Sequence, residues 1–297
     1  MHQKLFGGVE AGGTKFVCAV GTGPDALTDI VTIDTTTPAE TLQRTAAFFQ
    51  RRENLTSIGI GSFGPVDPDP DSDTFGYITS TPKEGWANTN FAGHLQHALG
   101  IPVAFDTDVN AAALGEHRWG AARGLDTFIY LTVGTGVGGG GLSRGRRLRG
   151  LVHPEMGHLR LPRAEGDTFQ GVCPFHGDCL EGMTSGPAIR TRSGRPPEEL
   201  EPGDSAWTFQ VHYLSMALVN YICVLSPERI ILGGGVMNQH HLFPRIREHV
   251  GRLLNGYIQA ELILDDIESY IVPPTLGNRS GVLGAIALAS EASGRPD

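Results

Sequence analysis

The sequence predicts an α/β protein built from two related domains, and three observations carry that prediction. Apolar runs of strand length alternate with stretches of helical periodicity along the chain. A strand–glycine turn–strand pattern occurs twice, roughly 120 residues apart. At ~150 residues per domain, 297 residues are enough for two.

The elements follow in order. Residues 5–10 and 15–21 read as two strands around the turn Ala11-Gly12-Gly13-Thr14, and Ala26–Thr35 as a third. Pro38 opens a helical pattern to about Arg52, with Leu42, Ala46 and Phe49 at helical spacing. Ser57–Gly61 is a fourth strand, ending in a proline- and aspartate-rich loop from Gly64-Pro65 to Asp73. Pro102–Asp106 is another strand, passing into an alanine-rich helix from about Asp108. The second half repeats the opening: Thr127–Val133, the loop Gly134-Thr135-Gly136, then a further apolar run. A long helix (Trp207–Leu225), a strand ending in Gly233-Gly234-Gly235, a helix at about 238–254 and a final helix from about Arg279 complete the chain. This pattern predicts an N-terminal α/β domain at 1–117 and a C-terminal α/β domain at 118–280, with a hinge near 117–120. The last helix, 281–297, is a candidate to return to the first domain.

Charge and composition exclude several functions. With 23 basic and 32 acidic residues the formal charge is −9, so the chain has no electrostatic reason to seek nucleic acid or an anionic membrane. No uninterrupted apolar run approaches ~18 residues, and no membrane-spanning segment is expected. Met1-His2-Gln3-Lys4 leads into a strand without a signal-peptide core, and a cytoplasmic enzyme is expected. The 41 glycines are about twice the usual ~7% and follow no three-residue period, which excludes collagen and places the excess in turns or close to a ligand.

Three motifs bear chemistry. In Glu10-Ala11-Gly12-Gly13-Thr14-Lys15, glycines at a strand turn let backbone N–H groups approach phosphate oxygens, and Thr14 and Lys15 add a hydroxyl and a charge. A plain Gly-Gly hairpin accounts for the same residues, and the Walker spacing is missing. Gly134-Thr135-Gly136 and Gly233-Gly234-Gly235 carry the same ambiguity, but three such loops after apolar strands favour a nucleotide. The second motif is Asp106-Thr107-Asp108-Val109-Asn110 at a strand–helix junction. An aspartate there serves as a helix cap or as a general base for a hydroxyl, a role worth ~10²–10⁴ in rate.

The third motif is the most specific. His158, Cys173, His176 and Cys179 match a closed tetrahedral zinc site of two sulfurs and two nitrogens, with Pro174 and Gly177 suited to a tight knuckle. A Cys173–Cys179 disulfide competes, disfavoured by the lack of an export signal. With four protein ligands the metal is structural. Glu155 and Glu181 flank the knuckle; they could receive sugar hydroxyls, although spacing alone favours surface acids. Cys18 and Cys223 are expected in the core, His94 and His97 on a polar helix face, and His240 and His241 at a helix start. Arg144, Arg146, Arg147 and Arg149 are expected as solvated turn charge.

Together these residues resemble the ROK family of sugar kinases, from Gly8 to the final helix. The resemblance implies the two-domain actin-like ATPase (ribonuclease H-like, hexokinase-related) fold with a zinc-binding knuckle at 158–179. The stretch His153-Pro154-Glu155-Met156-Gly157-His158 and the Cys-x-x-His-x-x-Cys knuckle resemble the bacterial fructokinase branch; most members carry three cysteines and one histidine. Glu10 stands where aspartate is more usual.

The resemblance implies that Asp108 is the catalytic base in ATP-dependent phosphorylation of D-fructose to fructose 6-phosphate. It implies sugar contacts at Gly64, Pro65, Asn88, Thr107, Asp108, Glu155, His158 and Glu181. Gly12, Gly13, Thr14 and Lys15 match the first phosphate loop, Gly134, Thr135 and Gly136 the second, and Gly234 and Gly235 the adenosine loop. Magnesium is implied with ATP, and a homodimer by family analogy. Thr107 replaces the family's asparagine, so the hexose stays open: glucokinase or mannokinase activity, or a catalytically silent sugar sensor, are the alternatives. Repressor members carry an N-terminal helix-turn-helix, whereas here the phosphate hairpin starts by residue 7.

Overall fold

A computed structural model describes residues 4–294. Met1–Gln3 and Arg295–Asp297, the ends of the ranges 1–117 and 281–297 and part of the N-terminal stretch read above, lie outside the described residues. The chain forms two units. Unit 1 comprises the chain up to Arg123, Leu148–His153 and Thr275 onward; unit 2 comprises Gly124–Arg147 and Pro154–Pro274.

In unit 1, β1 (Leu5–Ala11), β2 (Lys15–Gly21) and β3 (Leu27–Asp34) form an antiparallel meander. Next comes α1 (Pro38–Gln50), started by Pro38 at its first turn and by the Thr37 side chain, which accepts from the Glu40 N–H. Then follow β4 (Leu55–Ser62), the ribbon strands β5 (Tyr77–Ile78) and β6 (Thr89–Asn90), α2 (Phe91–Leu99), β7 (Val103–Thr107) and α3 (Asp108–Trp119). The sheet order is β3-β2-β1-β4-β7, with β4 parallel to both β1 and β7. One face buries Phe16, Phe49, Trp86, Phe91 and Phe105 with the aliphatic side chains of β1 and β4.

Unit 2 contains β8 (Phe128–Val133), β9 (Val137–Ser143) and β10 (Arg146–Arg147), then a 3-10 turn at Met156–His158. The helices α4 (Leu180–Thr184), α5 (Gly186–Ser193) and α6 (Ala206–Leu225) come next. β11 (Arg229–Gly233), α7 (Leu242–Leu254), α8 (Glu261–Leu264), α9 (Ile267–Tyr270) and β12 (Ile271–Val272) complete it. The order β10-β9-β8-β11-β12 repeats that of unit 1. By length and composition α6 could cross a bilayer, but half of its apolar stretch is buried inside unit 2. Its buried Leu214, Leu218 and Ile222 belong to a helix that packs on α4 and α7, which accounts for its apolarity.

The final helix, α10 (Ser280–Ala292), lies in unit 1 against α3, β1 and β4. The approach depends on absent side chains: a Cβ on Gly284 would lie 1.6 Å from the Ala111 carbonyl oxygen, and one on Gly59 1.9 Å from that of Ala285. Glu116, fully buried, pins the returning chain. Its carboxylate accepts from the N–H groups of Ala121, Thr275 and Leu276 and the hydroxyls of Thr275 and Ser280, at 2.7–3.2 Å.

One expectation fails here and one is incomplete. Cys223 is exposed rather than in the core, because α6 is apolar beyond its buried face and the pattern does not reveal which side is covered. Arg149 is exposed, as expected of turn charge, but it also donates to the fully buried Asp106 at 2.7 Å, a partner the sequence did not reveal.

Candidate active site and metal centre

In unit 1 the strand register collects the expected residues at one end of the sheet. Ala11 pairs with Ser62, and Ser62 with Thr107. The turn after β1, the loop after β4 and the corner after β7 therefore leave the sheet side by side, at the carboxyl ends of its parallel strands. The Phe63 N–H donates to the Ala11 carbonyl at 2.8 Å, tying the loop to the hairpin. Thr79 donates to the Pro65 carbonyl and accepts from the Asn88 N–H, which links Gly64-Pro65 to Asn88.

The turn Gly12–Lys15 is held from one side. The Gly12 N–H donates to the Lys15 carbonyl, and the Thr35 hydroxyl and N–H donate to the carbonyls of Gly12 and Thr14. Gly13, Thr14 and Lys15 are exposed, and a Cβ on Gly13 would meet nothing within 4 Å. Behind the turn, burial raises the Glu10 carboxyl above its ordinary range, against the opposing Val282 N–H and Lys15 charge. Glu10 Oε2 is buried without a hydrogen-bond partner.

At the corner the cap is Thr107, not an aspartate. The Thr107 hydroxyl oxygen accepts from the Asn110 N–H at 3.1 Å, leaving that hydroxyl only its proton to offer elsewhere. Asp106 is fully buried, and its Oδ1 accepts from the Thr107 N–H and Asn110 Nδ2 at 2.8 and 2.9 Å. Asp108, released from capping, is half-buried in the first turn of α3 and accepts from the Val109 N–H at 2.8 Å.

In unit 2, Gly134–Gly136 and Gly234-Gly235 follow the paired strands β8 and β11. A Cβ on Gly134 would lie 3.7 Å from the Gly235 nitrogen, so these two loops are neighbours. Gly234 has φ +90° and no room for a side chain beside Val133. Glu181, in the first turn of α4, accepts from the Val137 N–H at 3.0 Å and so secures the Gly134–Gly136 loop.

His158, Cys173, His176 and Cys179 point one ligand atom each into a common centre, all within 4.8 Å of one another. Tetrahedral zinc with Zn–S near 2.3 Å and Zn–N near 2.05 Å requires S···N of about 3.5 Å and N···N of about 3.3 Å. Cys173 Sγ lies 3.7 and 3.6 Å from Nδ1 of His158 and His176, and Cys179 Sγ 3.5 Å from His158 Nδ1. The two Nδ1 atoms are 3.3 Å apart. The donor set fits zinc in both chemistry and spacing. All four cysteines are free thiols. Burial pushes the Cys179 thiol up to about 11. His158 turns its other nitrogen, Nε2, toward Glu155 Oε2 at 3.9 Å, which lets one ring serve both the metal set and the flanking carboxylate.

Sequence reasoning named Arg149 as turn charge and His153 as part of a motif, but gave neither a partner. His153, 6% exposed, accepts from the Val66 N–H at 3.1 Å through Nε2. Among the expectations, His94 and His97 are exposed on α2, and His241 precedes α7 beside Trp207.

The model of the ROK family matches residues 6–292. A fructokinase of Pediococcus pentosaceus is 44% identical over 97% of this chain and 98% of its own length. Among solved structures, a ROK hexokinase from Thermus thermophilus superposes with TM-score 0.78 at 28% identity, covering 97% of this chain and 98% of that one. A ROK family glucokinase from Streptomyces griseus, in complex with glucose and AMPPNP, gives TM-score 0.77 at 25% identity, covering 97% and 99%.

Proposed function

The chain belongs to the ROK family, and on that premise we propose that it is an ATP-dependent fructokinase. The oxygen of the fructose 6-hydroxyl attacks the γ-phosphorus of ATP, its proton passes to Asp108, and ADP leaves with the electron pair of the broken P–O bond. The single observation that carries the kinase reading is the register at the end of the unit 1 sheet. It sets the glycine turn, the Gly64-Pro65 loop and a carboxylate free of capping duty side by side. Fructose, rather than glucose, is supported by the fructokinase relative at 44% identity, against 25% for the glucokinase structure.

Within this reading Gly64, Pro65, Asn88, Thr107, Asp108, Glu155, His158 and Glu181 serve the hexose. Gly12, Gly13, Thr14, Lys15, Gly134, Thr135, Gly136, Gly234 and Gly235 serve the nucleotide. Gly13 and Gly235 have open space where a side chain would stand, so the protein's own packing does not demand glycine there, whereas backbone approach to phosphate or base does. The orphan Glu10 Oε2 suits a water of the magnesium that accompanies ATP, and bound magnesium would screen phosphate charge from a protein of charge −9. His158, Cys173, His176 and Cys179 would hold a structural zinc. Free thiols and an ATP substrate suit the cytoplasm. A homodimer is carried by family analogy, and light scattering in solution measures it.

Side-by-side kcat/KM for fructose, glucose and mannose tests the substrate, with fructose expected first; a better hexose overturns that choice, and no ATP consumption with any hexose means a sensor. Asp108→Asn, folded by circular dichroism, is expected to lose about 10²-fold or more in kcat. Retention of more than about a tenth removes Asp108 as the base.

A further inference from the structure

Residues Leu148–His153 belong to unit 1, although the chain on both sides of them folds in unit 2. Apolar burial does not explain the excursion, because Leu151 and Val152 are 103% and 63% exposed. What this segment spends on unit 1 is two polar side chains. Arg149 Nη2 donates to Asp106 Oδ2 at 2.7 Å, and the other oxygen of this buried carboxylate holds the Thr107 N–H and Asn110 Nδ2. His153 Nε2 accepts from the Val66 N–H at 3.1 Å, and its ring lies 3.6 Å from where a Cβ on Gly64 would stand.

We propose that Leu148–His153 is a positioning strap: His153 fixes the loop Gly64-Pro65-Val66, and Arg149 fixes the corner that carries Asp108. The proposal rests on the kinase reading, which gives that loop to the hexose and that corner to proton transfer. Both are positioning residues: His153 acts through the Val66 N–H it accepts from, and Arg149 through the Asp106 carboxylate. The bond direction specifies the chemistry. Val66 supplies the N–H, so His153 Nε2 is an acceptor and a ring proton sits on Nδ1. Glutamine offers an acceptor at comparable reach, whereas phenylalanine keeps the ring and leaves a buried N–H unsatisfied. Arg149 supplies the charge that matches Asp106; without it a buried carboxylate beside the catalytic corner loses its cation.

The test uses the full chain with His153→Phe, His153→Gln and Arg149→Met. It reads steady-state kinetics for fructose and ATP separately, and amide hydrogen exchange at Val66 and Thr107. His153→Phe is expected to raise KM for fructose about tenfold with KM for ATP within about twofold, and His153→Gln to return within about threefold of the parent. Arg149→Met is expected to lower kcat about tenfold and to speed exchange at Thr107. Equal shifts in both KM values, or none, in His153→Phe overturn the proposal, as does a glutamine variant no better than phenylalanine. If the parent chain phosphorylates no hexose, the kinase reading fails instead, and exchange alone decides the strap. Val66 exchange accelerated in His153→Phe and restored in His153→Gln supports it, and unchanged protection overturns it.

Discussion

The two units lay out their strands identically, β3-β2-β1-β4-β7 against β10-β9-β8-β11-β12, yet differ in how the third strand reaches the fourth. In unit 1 a single helix, α1, makes the connection, and its Leu42, Ala46 and Phe49 bury into an aromatic core. Between β10 and β11 the chain runs from Arg147 to Arg229, through Leu148–His153 in unit 1 and then through unit 2, where Arg160–Cys179 and Cys173–Gly177 form isolated bridges. Between 154 and 179 its buried residues are Gly157, Asp167, Cys173 and Cys179, with no aliphatic or aromatic side chain among them. A repeated scaffold therefore carries one connection that buries a hydrophobic face and one whose fully buried groups between 154 and 179 are thiols, a glycine and a charge. Where a segment fully buries no aliphatic or aromatic side chain, a bound metal and charge pairing would be the additional sources of its order.

Metal removal is the largest expected break in that comparison. Structural zinc in small domains contributes on the order of 10 kcal/mol, and here it would be the principal tie across 158–179. Chelation, or Cys179→Ser, is expected to open 158–182 to proteolysis and hydrogen exchange while α1 and the β1–β4 pairing stay protected. Elemental analysis is expected to give about one zinc per chain. An apo protein with unchanged protection in the knuckle would mean that burial, not ligation, orders both connections.

The complementary break targets packing in unit 1. Gly284→Ala places a Cβ 1.6 Å from the Ala111 carbonyl oxygen and 2.3 Å from its carbon, both backbone atoms that cannot swing aside. α3 and α10 must separate, at a cost of about 3 kcal/mol. A lower urea midpoint with zinc retained is the expected result. Zinc loss at the same midpoint would show that the two units do not unfold independently.

How much of this was legible follows from distance along the chain. The hairpins, α1 and the long α6 were readable because periodicity and turn residues are local signals. The metal set was readable for the same reason, all four ligands lying between 158 and 179. The partners of Arg149 and His153 were not, since they lie 43 and 87 residues away and basic residues in a loop look solvated. The Thr107 cap was hidden by its neighbours: two aspartates beside it fit the same role, and only the geometry of β7 selects the threonine. Asp167 gave no signal at all, its partners being Arg192 and Tyr213.

That carboxylate provides the smallest and most selective probe of the charge-held connection. Burial would raise the Asp167 carboxyl, but the two-pronged Arg192 pair at 2.7 and 3.0 Å, the Tyr213 hydroxyl and the Phe169 N–H outweigh it and hold the carboxyl at about 2. Arg192 is itself fixed between the rings of Phe169 and Phe209, 4.4 Å from each. A folded-state value below the ordinary 3.8 means stability fully present above pH 4 and lost as pH falls toward 2, worth about 2 kcal/mol. Asp167→Asn is expected to lower the urea-derived stability by about that amount at neutral pH and to converge with the parent near pH 2. The difference between the two chains is the readout, because acid would also protonate histidine and thiolate ligands and release a bound zinc from both. A gap that stays constant down to pH 2 would mean that the aspartate acts by shape alone, and that metal ligation bears the whole difference between the two connections.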